Sequence, residues 1–132
     1  MRFSPPSGSD VILLAASDVF VRNLLSRALT REGYFVLDAA NCDEALHLSI
    51  GFEGKIDLLL ASSDIPGRMT FTEAIVRERP RIRVLVISLA TQEDLIQRSK
   101  EHTRWPRALL PEELKVKIRR ATTDPPFGAT EI

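Results

Sequence analysis

The sequence predicts a doubly wound α/β domain: a five-stranded parallel sheet held between two helical layers, three layers in all. Three observations carry this. VILLAA at 11–16, IDLLLA at 56–61 and RVLVIS at 83–88 are short aliphatic runs with the length and composition of strands buried on both faces. Between them, aliphatic residues recur at helical spacing. Strand and helix signals alternate five times, a pattern that implies right-handed crossovers and a parallel sheet covered on both sides.

Residues 1–9, with two prolines, one glycine and three serines, predict a flexible lead-in. The domain is expected to span 10–121. Val11 to Ala16 forms the first strand, and Ser17 or Asp18 caps a helix from Asp18 to Arg31 with Val19, Leu24, Leu25 and Leu29 inward and Arg22, Asn23 and Arg27 outward. Gly33 ends that helix. Tyr34 to Ala40 is the second strand, and Asn41 starts a short helix with Ala45, Leu46 and Leu48 inward, closed by Gly51 and Gly54.

Ile56 to Ala61 is the third and central strand. Beyond Pro66 and Gly67, Phe71 to Arg79 is helical, with Phe71, Ala74, Ile75 and Val76 as its inner face, and Pro80 stops it. Arg83 to Ser88 is the fourth strand, followed by a helix over Gln92 to Lys100 that Thr91 caps. Arg107 to Leu110 is the expected fifth strand. Pro111, Glu112 and Glu113 open a last helix through Arg120 that docks through Leu114, Val116 and Ile118. Residues 122–132, rich in Pro and Gly, predict a flexible tail.

Composition narrows the function classes. The chain has 132 residues, 44% of them hydrophobic, enough for one sizeable core. Its 18 basic and 18 acidic residues cancel, so no global field draws it to nucleic acid or an anionic membrane. The single cysteine, Cys42, excludes an internal disulfide and is read as structural, in a reducing compartment. No apolar segment approaches the roughly 20 residues that span a bilayer, and the first residues lack the apolar core of a signal peptide, so a cytoplasmic location is expected. His47 and His102 lie apart and read as surface side chains; no Cys/His cluster has metal-ligand spacing.

In open α/β sheets, sites form outside the carboxyl ends of the strands. The residues to inspect first therefore follow Ala61: Ser62, Ser63 and Asp64.

The segments VILLAASDVFVRNLLSRALTREGYFVLDAAN, IDLLLASSDIPG and RVLVIS resemble the receiver (CheY-like) domain of bacterial two-component response regulators, over Asp10 to Ala121. The resemblance implies a flavodoxin-like (βα)5 fold. It also implies phosphorylation of a strand-end aspartate, with Mg²⁺ held by that carboxylate and an acidic pair after the first strand. Here the pair falls on Ala15 and Ala16 and the phosphoacceptor on Ser62. The switch hydroxyl falls on Ser88, and the lysine of the fifth strand on Arg107 or Leu110, so it is absent in either register. Mg²⁺ demands oxygen ligands in near-octahedral order, and two methyl groups and a hydroxyl do not supply them. No metal and no cofactor are therefore expected.

The leading expectation is a pseudo-receiver: a phosphorylation-independent interaction module in phosphorelay signalling, not an enzyme. An alternative keeps phosphorylation and moves the acceptor to Asp64. A second alternative is a small flavodoxin-like ligand-binding domain or enzyme using Ser62, Ser63 and Ser88, although LAASDVF lacks the glycines of a phosphate loop. The expected partner is a signalling protein or a second copy, met through the fourth helix, fifth strand and fifth helix with Arg104, Trp105 and Arg107 as contacts; nucleic acid and membrane are not expected partners.

Overall fold

The computed structural model describes residues 8–101, 110–123 and 130–132. Five strands, β1 (Val11–Ala15), β2 (Phe35–Ala39), β3 (Leu58–Ser62), β4 (Arg83–Ile87) and β5 (Thr130–Glu131), form one parallel sheet in the order β2-β1-β3-β4-β5. The helices are α1 (Val19–Arg31), α2 (Cys42–Gly51), α3 (Arg68–Glu78), α4 (Leu89–Glu101) and α5 (Glu112–Thr123). This is the expected three-layer, flavodoxin-like α/β architecture.

Alternation along the strands divides the core into two layers. Ile12, Leu14, Leu58, Leu60, Leu85 and Ile87 meet α1, Leu95 of α4, and Leu114 and Ile118 of α5. Leu13, Leu59, Ala61, Val84 and Val86 meet α2 and α3 through Ala45, Phe71 and Ile75. Strands β1, β3 and β4 are buried on both faces, as their unbroken aliphatic runs predicted, whereas β2, with Asp38 exposed, is only partly buried.

The carboxyl-terminal third departs from expectation. Position 110 of the expected fifth strand, Leu110, is buried in the core outside any strand, and 107–109 lie outside the described residues. The place beside β4 goes instead to Thr130–Glu131, out of the expected tail, with Leu85 opposite Thr130 and Val86 opposite Glu131. Helix α4 packs on the layer of α1 and α5, not with α2 and α3.

Local chemistry fixes the other elements. Asp18 caps α1, its carboxylate accepting from Phe20 N at 2.8 Å and Val21 N at 3.1 Å; Asn41 caps α2 by accepting from Glu44 N at 2.9 Å. Helix α3 starts at Arg68 behind Gly67, whose φ of 77° suits glycine, and so begins earlier than Phe71. Helix α4 is capped by Ser88 rather than Thr91: Ser88 Oγ accepts from Thr91 N at 3.2 Å and Ser88 O from Gln92 N at 3.0 Å. Val19, Val76 and Val116, assigned inward by spacing, are exposed.

Arg79 ties α2 to the lead-in of β3. It donates to Ser49 Oγ (2.9 Å), Ser49 O (2.8 Å), Phe52 O (3.0 Å) and Gly54 O (2.7 Å), which satisfies carbonyls that the end of α2 leaves without helical partners.

Candidate functional site

The strand ends that matter are those of β1, β3 and β4, which are adjacent in the sheet. Ala15 pairs with Ala39 on one side and Ala61 on the other, and Ser62 pairs with Ile87. Ala15, Ala16 and Ser62 are 0%, 1% and 1% exposed, so the three positions form a closed floor under the loops. Ala15 faces the α2/α3 layer and Ala16 the α1/α4/α5 layer; by alternation Ser62 lies on the side of Ala16. Among the described residues the Ser62 hydroxyl has no hydrogen-bond partner.

The loops above are pinned by backbone-directed bonds. Arg22 Nη1 donates to Ala16 O at 2.8 Å, Arg68 Nε to Ser63 O at 3.2 Å, and Ser63 N to Ile87 O at 2.9 Å. These bonds use both arginines nearest the strand ends to hold main chain.

Asp64 is exposed in the turn after β3, where its Oδ1 accepts from Gln92 Nε2 at 3.4 Å; the same nitrogen donates to Ile87 O at 3.0 Å. Asp18 is committed to capping α1. The two carboxylates nearest the floor thus face outward. Among the described residues no group of three or more His, Cys, Asp or Glu is placed to hold a metal ion.

The chemical consequences are direct. A Mg²⁺ ion needs oxygen ligands, and the floor offers two methyl groups and one hydroxyl, so these residues do not fit the ion that the fold family uses. Among the described residues no base bonds to the Ser62 hydroxyl, and its burial keeps a phosphoryl donor from reaching it.

Ser88 does what a strand-end serine does for the backbone: besides capping α4, its hydroxyl donates to Thr91 Oγ1 at 3.1 Å. Arg104, Trp105 and Arg107 lie outside the described residues, as does His102. His47 is exposed, with Nδ1 2.8 Å from Asp43 O. The Cys42 thiol donates to Pro66 O at 3.2 Å and is pushed above its ordinary pKa by burial first and by Asp43 second, which keeps it protonated.

Two residues that the sequence did not single out shape the region. Gln92 links β4, α4 and Asp64, and a polar residue one turn into a helix behind a strand-end serine was its only signal. Asp57, buried before β3, accepts from Val11 N at 2.7 Å and pairs with Lys55 at 3.3 Å. An acid inside an otherwise aliphatic run was the signal for it.

Around the closed floor the helix starts expose apolar side chains: Val19 and Phe20 on α1, Met69 on α3 and Leu89 on α4, with Met69 65% exposed. The strand-end rim thus carries exposed apolar side chains beside the exposed carboxylates of Asp18 and Asp64.

No family model and no curated protein sequence matches the chain. Solved structures do. The receiver domain of a response regulator from Clostridium thermocellum matches at a TM-score of 0.63 and 20% identity, covering 86% of this chain and 94% of that one. TrrA of Thermotoga maritima, solved with Mg²⁺ and BeF, matches at a TM-score of 0.61 and 22% identity, covering 85% and 98%. Chemotaxis regulator CheY4 of Vibrio cholerae matches at 0.63 and 20%, covering 86% and 98%. The chain has the fold of response regulator receiver domains.

Proposed function

We propose that this chain is a receiver-fold signalling module of the two-component type that works without phosphorylation, as an interaction domain and not as an enzyme. The observation that carries this is the closed floor: Ala15, Ala16 and Ser62 are buried and carry no charge, so none of the three positions offers a carboxylate acceptor. Fold alone does not assign function, so the reading rests on the chemistry of these three positions within that fold.

Without a chemical input at the strand ends, signalling must come from constitutive contact or from a partner that selects one conformation. The proposed contact surface is the α4, β5 and α5 side, together with the segment carrying Arg104, Trp105 and Arg107. Its partner is a signalling protein or a second copy.

Isothermal titration with Mg²⁺ and beryllofluoride tests the reading. No saturable heat is expected, and Asp64→Asn changes nothing. Saturable binding that chelator reverses and Asp64→Asn abolishes would instead establish Asp64 as an acceptor.

A further inference from the structure

The amino ends of β3 and β4 lie side by side, with Leu58 opposite Arg83 and Arg83 N donating to Asp57 O at 3.3 Å. A cleft of about 300 Å³ opens there, at the far end of the strand from Ser62. Ile56, Pro80 and Ile82 give it apolar walls, and Lys55, Arg79 and Arg81 give it three cations. Both isoleucines are buried and belong to the α2/α3 layer.

Positive charge is concentrated at this end. Residues 77–83, RERPRIR, set four arginines against one glutamate in a chain of zero net charge. Arg79 is half-buried, and its four side-chain bonds all end on neutral oxygens of Ser49, Phe52 and Gly54. Burial pushes its pKa below the ordinary value, against a smaller upward pull from Glu78. Arg81 is exposed, and its side chain has no hydrogen-bond or ion-pair partner among the described residues. Lys55 pairs with Asp57 at 3.3 Å, but that carboxylate is buried and also accepts from Val11 N, while the lysine side chain stays mostly in solvent.

Shape and lining decide which anion fits. A small molecule is held by enclosure, with most of its surface buried, and here Lys55, Pro80 and Arg81 stand exposed around the cleft. An extended chain with several carboxylates can reach Lys55 and Arg81 together, the arginine fork matching a carboxylate, and lay an apolar side chain between the isoleucines. A single-stranded nucleic acid brings charge too, but its bases stack on aromatic rings. None of the six lining residues is aromatic.

We propose that the cleft between the amino ends of β3 and β4 docks an acidic segment of another protein, with its carboxylates at Lys55 and Arg81 and an apolar side chain against Ile56 and Ile82. This contact goes beyond the function proposed above. It lies at the opposite end of the sheet from the closed floor, uses none of its chemistry, and is separate from the α4, β5 and α5 side.

The test titrates the full chain with a fluorescein-labelled peptide of alternating Glu and Leu, read by anisotropy and by amide NMR shifts. Saturable shifts are expected at Lys55, Ile56, Arg81 and Ile82, with binding that weakens as salt is added. Arg81→Glu, an exposed position, is expected to weaken binding on the order of tenfold, whereas Arg98→Glu, on the other helical layer, changes it by less than about twofold. A peptide with Gln in place of Glu is expected not to bind.

Absence of saturable shifts at the cleft up to millimolar peptide overturns the proposal. So does equal weakening by Arg81→Glu and Arg98→Glu, which would make the attraction a general one. Oligothymidine that matches the peptide in affinity and in shifted residues also overturns it, in favour of a nucleic-acid site. The beryllofluoride titration reads the other end of the sheet, so neither reading's failure decides the other.

Discussion

At the amino end of β3 the Asp57 carboxylate is buried and fully used, accepting from Val11 N at 2.7 Å and pairing with Lys55, so that it joins β1 to β3. At the carboxyl end of the same strand Ser62 is more deeply buried and its hydroxyl has no hydrogen-bond partner among the described residues. The strand therefore keeps its buried acid where it braces the sheet and carries none at the end where receiver chemistry takes place. Burying a charge is tolerated where partners are built around it. At the Ser62 end the surroundings are built for neutral groups.

The sharpest way to break this contrast is to put the charges back. Ala15→Asp, Ala16→Asp and Ser62→Asp together bury three like charges in a floor whose neighbouring arginines, Arg22 and Arg68, already bond to main-chain carbonyls. Such groups repel and are desolvated, so a loss of several kcal/mol is expected in chelator, a large part of the roughly 5–15 kcal/mol that a domain possesses. Added Mg²⁺ is expected to recover part of it by binding the folded state. Equal melting temperatures for the triple variant and the parent in chelator would show that the floor is wetter and roomier than its burial implies.

Removing the acid at the other end has the next largest effect. Asp57→Ala strands Val11 N and is expected to cost about 1–3 kcal/mol in urea unfolding, while Asp57→Asn, which keeps a carbonyl acceptor, should cost less. A loss below about 0.5 kcal/mol for the alanine variant would make the Asp57 bond incidental.

The smallest effect sharpens the comparison from the Ser62 side. Ser62→Ala removes an unpaired buried hydroxyl and is expected to be neutral or to stabilise by up to about 1 kcal/mol. A clear loss would mean that the hydroxyl has a partner after all, and the contrast between the two ends would collapse.

Much of this was legible in the sequence, for identifiable reasons. Strands β1, β3 and β4 are covered on both faces, so they read as continuous aliphatic runs, and their expected carboxyl ends lie within one residue of the observed ones. What escaped has physical causes too. A two-residue strand such as Thr130–Glu131 has no periodicity to detect. Val19 sits at the sheet's rim, where helical spacing no longer implies burial. Asp57 was passed over because the aliphatic pattern of the run survives one acid, although that acid was itself the signal of a buried partner.

The origin of β5 also sets an order of events during synthesis. In a sheet whose strands and helices simply alternate, each new strand docks soon after it leaves the ribosome. Here Leu85 must wait for Thr130, which follows both α4 and α5 in the chain. Such a non-local pairing closes late. Until Ile132 has emerged, the nascent domain carries an open aliphatic edge at β4, and that interval is when neighbouring chains on one message, or a chaperone, have access to it.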